Sequence, residues 1–124
     1  MRPALNGERI GGAIIFTGES MKAAMIFPGQ GAQSVGMLDA WAEDNPIVRS
    51  VFKDASDVLG YDLWEVVSEG PAEKLNQTEV TQPALLAAGV AAWSSWLAED
   101  GPQPAVMAGH SLGEYTALVA AGAI

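Results

Sequence analysis

A chain of 124 residues with 49% apolar residues has enough core-forming side chains for one domain and too many for a disordered segment. It carries no cysteine and one histidine, which excludes disulfides, thiolate metal sites, a cysteine nucleophile and a histidine-rich metal centre within these residues. A formal charge of −9 disfavours nucleic acid and anionic membranes as partners, and no apolar run reaches transmembrane length.

Residues 1–20 differ from the remainder. Gly7, Gly11, Gly12 and Gly18 are scattered through them, and their apolar patch, Ala13-Ile14-Ile15-Phe16, is too short for a signal-peptide core and lacks a following cleavage site. The stretch reads as a mobile extension, with Met21 as an alternative start. The competing reading is an added edge strand around residues 13–17. Lys22 to Phe27 then forms the first convincing strand, apolar in its later part as a buried parallel strand should be. Pro28-Gly29-Gln30-Gly31-Ala32-Gln33 follows as a loop. It lacks the Gly-Lys-Ser/Thr ending of a P-loop, and Ser34 stands where G-x-G-x-x-G needs its last glycine, so both nucleotide readings are weak.

Ser34 to about Glu43 reads as a helix with Val35, Leu38, Trp41 and Ala42 on one side. Asn45-Pro46 supplies the cap and first-turn residue of the next helix. That helix carries Ile47, Val48, Val51, Phe52, Ala55, Val58 and Leu59 at helical spacing and stops at Gly60. Asp62 caps a short helix within residues 61–68, Gly70-Pro71 breaks it, and Ala72 to Leu75 adds one turn. The longest helix is expected from Thr81 to about Ala98, with Pro83 early in it. Alanines fill the faces that Leu85, Leu86, Val90, Trp93, Trp96 and Leu97 leave, which predicts burial on most sides. Trp93 and Trp96 read as core rather than as a base-stacking platform, given the acidity of the chain.

Gly101-Pro102 ends that helix, and Ala105-Val106-Met107-Ala108 is a short strand. Gly109-His110-Ser111-Leu112-Gly113 matches G-x-S-x-G, and a dense apolar helix follows. In a nucleophile elbow the serine occupies a strained strand-to-helix turn, and the flanking glycines permit a close approach that a side chain would block. The helix N-terminus just after the serine directs N–H groups at an oxyanion formed there. A tight β-to-α turn with an incidental serine is the alternative. The two convincing strands lie among helices, the arrangement of a parallel α/β sheet. Two strands cannot close such a sheet, and Leu118 to Ile124 is apolar to its last residue. The expectation is therefore an incomplete parallel-sheet α/β core whose apolar faces find another segment, another copy, or aggregate.

Three motifs in order, Phe27-Pro28-Gly29-Gln30-Gly31-Ala32-Gln33, Thr81-Gln82-Pro83-Ala84 and Gly109-His110-Ser111-Leu112-Gly113-Glu114, resemble those of the malonyl-CoA:acyl-carrier-protein transacylases. Gly60-Tyr61-Asp62-Leu63-Trp64 and Gly70-Pro71-Ala72-Glu73 resemble the stand-alone bacterial form. The resemblance covers residues 21–124. It implies the N-terminal portion of the large domain of an α/β-hydrolase-like acyltransferase core, with the family's ferredoxin-like small subdomain absent from these residues. It further implies a malonyl transfer of fatty-acid synthesis, with Ser111 as nucleophile and the N–H groups of Gln30 and Leu112 as the oxyanion hole. Gln82 would lie near the acyl pocket. His110, adjacent to Ser111 on the turn, would line the pocket rather than act as base. The family's base histidine and carboxylate-binding arginine lie beyond Ile124, so residues 1–124 are expected to be inactive alone. The resemblance implies no bound cofactor and no metal, malonyl-CoA as substrate, an acyl carrier protein bearing phosphopantetheine as partner, and a cytoplasmic setting. A serine hydrolase of the α/β type and a non-catalytic acyltransferase remnant are the alternatives.

Overall fold

The computed structural model describes the backbone of residues 6–10 and 13–17, and residues 23–124 with their side chains. A four-stranded sheet runs in the order β1 (Asn6–Ile10), β2 (Ala13–Thr17), β3 (Ala24–Phe27), β4 (Val106–Gly109). β1 and β2 pair antiparallel, and β2 pairs antiparallel with β3 through Ile14↔Ile26 and Ile15↔Met25. β3 and β4 are parallel, with Ala24 opposite Val106 and Phe27 opposite Gly109. The expected parallel pair is thus present, whereas the other half of the sheet is antiparallel. β2 occupies the segment for which an edge strand was the competing reading. Much of the expected mobile extension, including the alternative start at Met21, lies outside the described residues.

Between β3 and β4 the chain forms α1 (Asp39–Asp44), α2 (Pro46–Leu59), α3 (Leu63–Glu69), α4 (Ala72–Leu75) and α5 (Thr78–Ala98); α6 (Leu112–Ala120) follows β4. The start and stop signals act as the residue types require. The Asn45 side chain accepts from the Ile47 N–H at 3.1 Å, Pro46 opens the first turn, and Gly60 ends α2 at φ 80°. Asp62 accepts from the Glu65 N–H at 3.0 Å to cap α3. Ser56 joins the two helices: its hydroxyl donates to the Phe52 carbonyl at 2.7 Å and accepts from the Leu63 N–H at 2.9 Å.

Two helix boundaries differ from the sequence reading. Residues 35–38 form turns rather than the first part of a helix, and Ser34 precedes them outside any helix. Gly36 takes φ 78° and donates its N–H to the Val67 carbonyl at 2.8 Å, so tertiary bonding to α3 replaces a helical turn. α5 begins at Thr78, one turn before the expected Thr81. Thr81 is fully buried, and its hydroxyl donates to the carbonyls of Leu75 and Gln77, satisfying groups at the α4–α5 junction.

Burial falls into two clusters with α5 between them. On one side Val48, Phe52, Leu63, Val66, Val67 and Leu75 pack on Ala84, Ala88 and Ala91. On the other, Met25 and Phe27 of β3 pack on Trp93 and on Ala117 of α6. Small residues along α5 let both groups approach its backbone. Gly89 shows this most clearly, since a Cβ there would strike the Thr116 methyl and press on the Phe27 ring. On their other face, β3 and β4 leave side chains exposed among the described residues. Ile26 is 46% and Val106 60% exposed, and Tyr115 and Leu118 of α6 are also exposed.

Phe52 is fully buried and meets Trp64 edge-on, with ring centroids 5.3 Å apart. Phe52→Ala is expected to lower stability by about 3–5 kcal/mol through lost burial and a residual cavity. Denaturant unfolding of the two proteins measures the difference.

Candidate active site

The serine motif occupies the turn between β4 and α6. Ser111 has φ 55° and ψ −116°, a conformation that a non-glycine residue adopts only when its surroundings impose it. The surroundings are the two glycines. A Cβ on Gly109 would collide with the backbone of Gly113 and the Glu114 nitrogen, and a Cβ on Gly113 would collide with the Phe27 carbonyl. The Gly113 Cβ would also fall 2.9 Å from the Pro28 oxygen. The α6 backbone therefore rests directly on the end of β3. Strain and close approach thus coincide at the residue the motif marks.

Hydrogen bonds fix the turn. The His110 N–H donates to the Phe27 carbonyl at 3.1 Å, continuing the β3–β4 ladder by one residue. The His110 carbonyl accepts from the Gly113 N–H at 2.9 Å, and the Ser111 carbonyl from the Glu114 N–H at 3.0 Å. The Leu112 N–H, at the first position of α6, has no such partner among the described residues, as expected of a helix N-terminus. Ser111 and His110 are both exposed. No hydrogen bond joins the His110 ring to the Ser111 hydroxyl among the described residues.

The loop after β3 lies against this turn. Because Phe27 is in register with Gly109, the residues that follow each strand leave the sheet side by side. Gly29 is buried, and a Cβ on it would fall 2.5 Å from the His110 oxygen and 3.3 Å from the Ser111 Cβ. Gln30, the next residue, is exposed, and its N–H is also without a partner among the described residues. The structure thus brings together Ser111, Leu112, His110 and the Gln30 loop. Gln82 is exposed on α5, one turn after Thr78, whose hydroxyl accepts from the Gln30 side chain at 3.3 Å. Residues four apart share a helix face, which sets Gln82 on the side of α5 that faces the loop.

Sequence reasoning missed three residues that hold this loop. The half-buried Gln33 accepts from the Gly31 N–H at 2.7 Å and donates to the Asn76 side chain at 2.9 Å, while Thr78 receives Gln30. Gln33 stands inside the first motif, but Asn76 and Thr78 carry no local signal, since only folding brings α4 and α5 to the loop.

Residues 24–124 match the family model described as the acyl transferase domain. The chain belongs to the acyl transferase domain family. It is 60% identical over 101 residues to the malonyl CoA-acyl carrier protein transacylase of Salmonella typhimurium, covering 82% of this chain and 33% of the relative. It is 63% identical over 105 residues to that of Haemophilus influenzae, with 83% and 33% covered. Among solved structures it resembles an acyl carrier protein S-malonyltransferase from Vibrio cholerae at 62% identity and a TM-score of 0.79, with 80% of this chain and 32% of that one covered. A complex of a type II PKS acyl-carrier protein with its malonyl-transacylase matches at 61% identity and the same TM-score of 0.79, over 80% of this chain and 32% of that one. The chain spans about a third of the length of the curated relatives it matches.

The elbow geometry makes Gly113→Val a test of folding before chemistry. The branched side chain would enter the space held by the Phe27 and Pro28 carbonyls. A loss of about 3 kcal/mol or more is expected from overpacking against backbone. Thermal or denaturant unfolding measures it, and an unchanged melting temperature would contradict the packing of α6 on β3.

Proposed function

We propose that this chain supplies the nucleophile and oxyanion hole of a malonyl-CoA:acyl-carrier-protein transacylase acting in fatty-acid synthesis. The observation that carries the reading is the strained Ser111 at the start of α6, beside two backbone N–H groups without partners among the described residues, one at the N-terminus of α6 and one in the loop after β3. Relatives at 58–63% identity that bear the transacylase name supply the acyl group and the acceptor. The Ser111 Oγ adds to the thioester carbonyl of malonyl-CoA as its proton passes to a base. The Leu112 and Gln30 N–H groups stabilise the oxyanion, and the coenzyme A thiolate leaves. The pantetheine thiol of the acyl carrier protein then attacks the Ser111 ester and carries the malonyl group away. Dividing the transfer in this way is covalent catalysis.

In this reading His110 and Gln82 line the acyl pocket. The base, the carboxylate-binding arginine and the ferredoxin-like subdomain come from outside residues 1–124. No cofactor is retained, because the phosphopantetheine arrives on the partner protein, and the setting is the cytoplasm. Residues 21–124 act as part of a large acyltransferase domain, with residues 1–20 an extension to it. A serine hydrolase would use the same elbow, and dependence of acylation on coenzyme A thioesters separates the two readings.

The test uses a completed protein, in which residues 1–124 are joined to the remaining two thirds of the Vibrio cholerae relative. Mixed with malonyl-CoA, it is expected to gain one malonyl group by mass spectrometry, and Ser111→Ala is expected to abolish the adduct. An equal adduct in the alanine variant would place the nucleophile elsewhere.

Residues 1–124 alone are expected to lack useful turnover. A neutral serine hydroxyl needs a base, and the only histidine, His110, is exposed without a hydrogen bond to Ser111. Loss of a general base costs about a hundred- to ten-thousand-fold. Malonyl transfer to holo acyl carrier protein near the rate of the completed protein, and lost on Ser111→Ala, would reveal a base within these residues.

A further inference from the structure

We infer that Gln33 is a positioning residue that aims the Gln30 N–H at the reacting carbonyl of Ser111 chemistry; the inference rests on the reading of Ser111 given above. The Gln30 N–H belongs to the peptide whose carbonyl is that of Gly29. In a trans peptide the two groups point in opposite directions, so whatever holds the carbonyl aims the N–H. The Gly29 carbonyl accepts from the Ala32 N–H at 3.4 Å, which closes residues 29–32 into a turn. That bond is long, and Gly31, at φ 111°, lies in a region where glycine is freest to move.

The Gln33 side chain compensates for this weakness. Its Oε1 takes the Gly31 N–H at 2.7 Å, the short bond of the turn, and its Nε2 donates to Asn76 Oδ1 at 2.9 Å. Asn76 is the C-cap of α4, whose own N–H is bound to the Ala72 and Lys74 carbonyls, so the anchor is a fixed point of the fold. The Gln30 side chain reaches Thr78 Oγ1 at 3.3 Å, a second and weaker tie to the same α4–α5 junction. Gln33 thus links the peptide that follows Gln30 to the C-terminal end of α4.

Two measurements test the assignment. In the completed protein, Gln33→Met keeps the side-chain length and removes both polar contacts. It is expected to slow acylation by about ten- to a hundred-fold in kcat with little change in KM, less than the loss of a whole oxyanion donor. Gln33→Glu retains the acceptor for the Gly31 N–H, and the Asn76 amide can rotate to donate to it, so its rate is expected within a few-fold of the parent. In residues 1–124 alone, amide exchange at Gly31 is expected to speed up by about tenfold or more in Gln33→Met and to be restored in Gln33→Glu, with exchange in α5 unchanged. Equal acylation rates for the parent and Gln33→Met overturn the inference, as does a loss carried by KM or one that Gln33→Glu fails to restore. A completed parent that forms no ester overturns the Ser111 reading itself, and the Gly31 exchange then still reports whether Gln33 holds the loop.

Discussion

The fold around the site depends on one backbone-to-backbone contact, that of Gly113 in α6 on the Phe27 and Pro28 carbonyls at the end of β3. No side chain intervenes, so the helix sits as close to the strand as two main chains allow. The contact fixes the angle at which the chain turns from β4 into α6 and forces the intervening residue into φ 55°. A conformation of that kind costs about 1–3 kcal/mol. The burial of Phe27 and Ala117 and the His110-to-Phe27 ladder bond offset it locally. Strain at Ser111 is therefore a consequence of close packing, and its result is a hydroxyl at the mouth of the turn.

α5 connects this contact to the rest of the molecule. Its small residues are spread over all its faces, so it can take the helical cluster of α2 and α3 on one side and the sheet and α6 on the other. Gly89 is the point at which α5, Thr116 of α6 and Phe27 of β3 meet at less than a side chain's separation. The same helix begins with Thr78, which holds the Gln30 side chain. One helix thus supports the serine turn from below and the Gln30 loop from the side.

Local chemistry was legible in the sequence wherever it was written in consecutive residues. Asn45-Pro46, Gly60 and Asp62 each mark a boundary that the structure keeps, because a cap is made by residues within a few positions of it. The serine turn was legible for the same reason, its glycines lying two residues either side of Ser111. The start of α1 was misread because Gly36 bonds to Val67, thirty-one positions away, and the start of α5 because Thr81 satisfies carbonyls of the preceding turn. The apolar patch at residues 13–17 was too short to distinguish a strand from a loop until β3 supplied its partner. Asn76 was illegible in principle: its significance lies in Gln33, forty-three positions before it.

The Gln30 and Leu112 N–H groups, without partners among the described residues, come from segments that share no local sequence, and the parallel pairing of β3 with β4 is what joins them. With Phe27 opposite Gly109, Gln30 follows its strand by three residues and Leu112 follows its own by three. A slip of one residue would turn every side chain of β3 to the other face and break this symmetry. The buried Met25 and Phe27 on one face, against exposed Ile26 on the other, make such a slip costly. The alternation of side chains in a four-residue strand thereby sets the spacing of two donors beyond its end. Loop bonds such as that of Gln33 then refine an alignment that the strand register has already imposed.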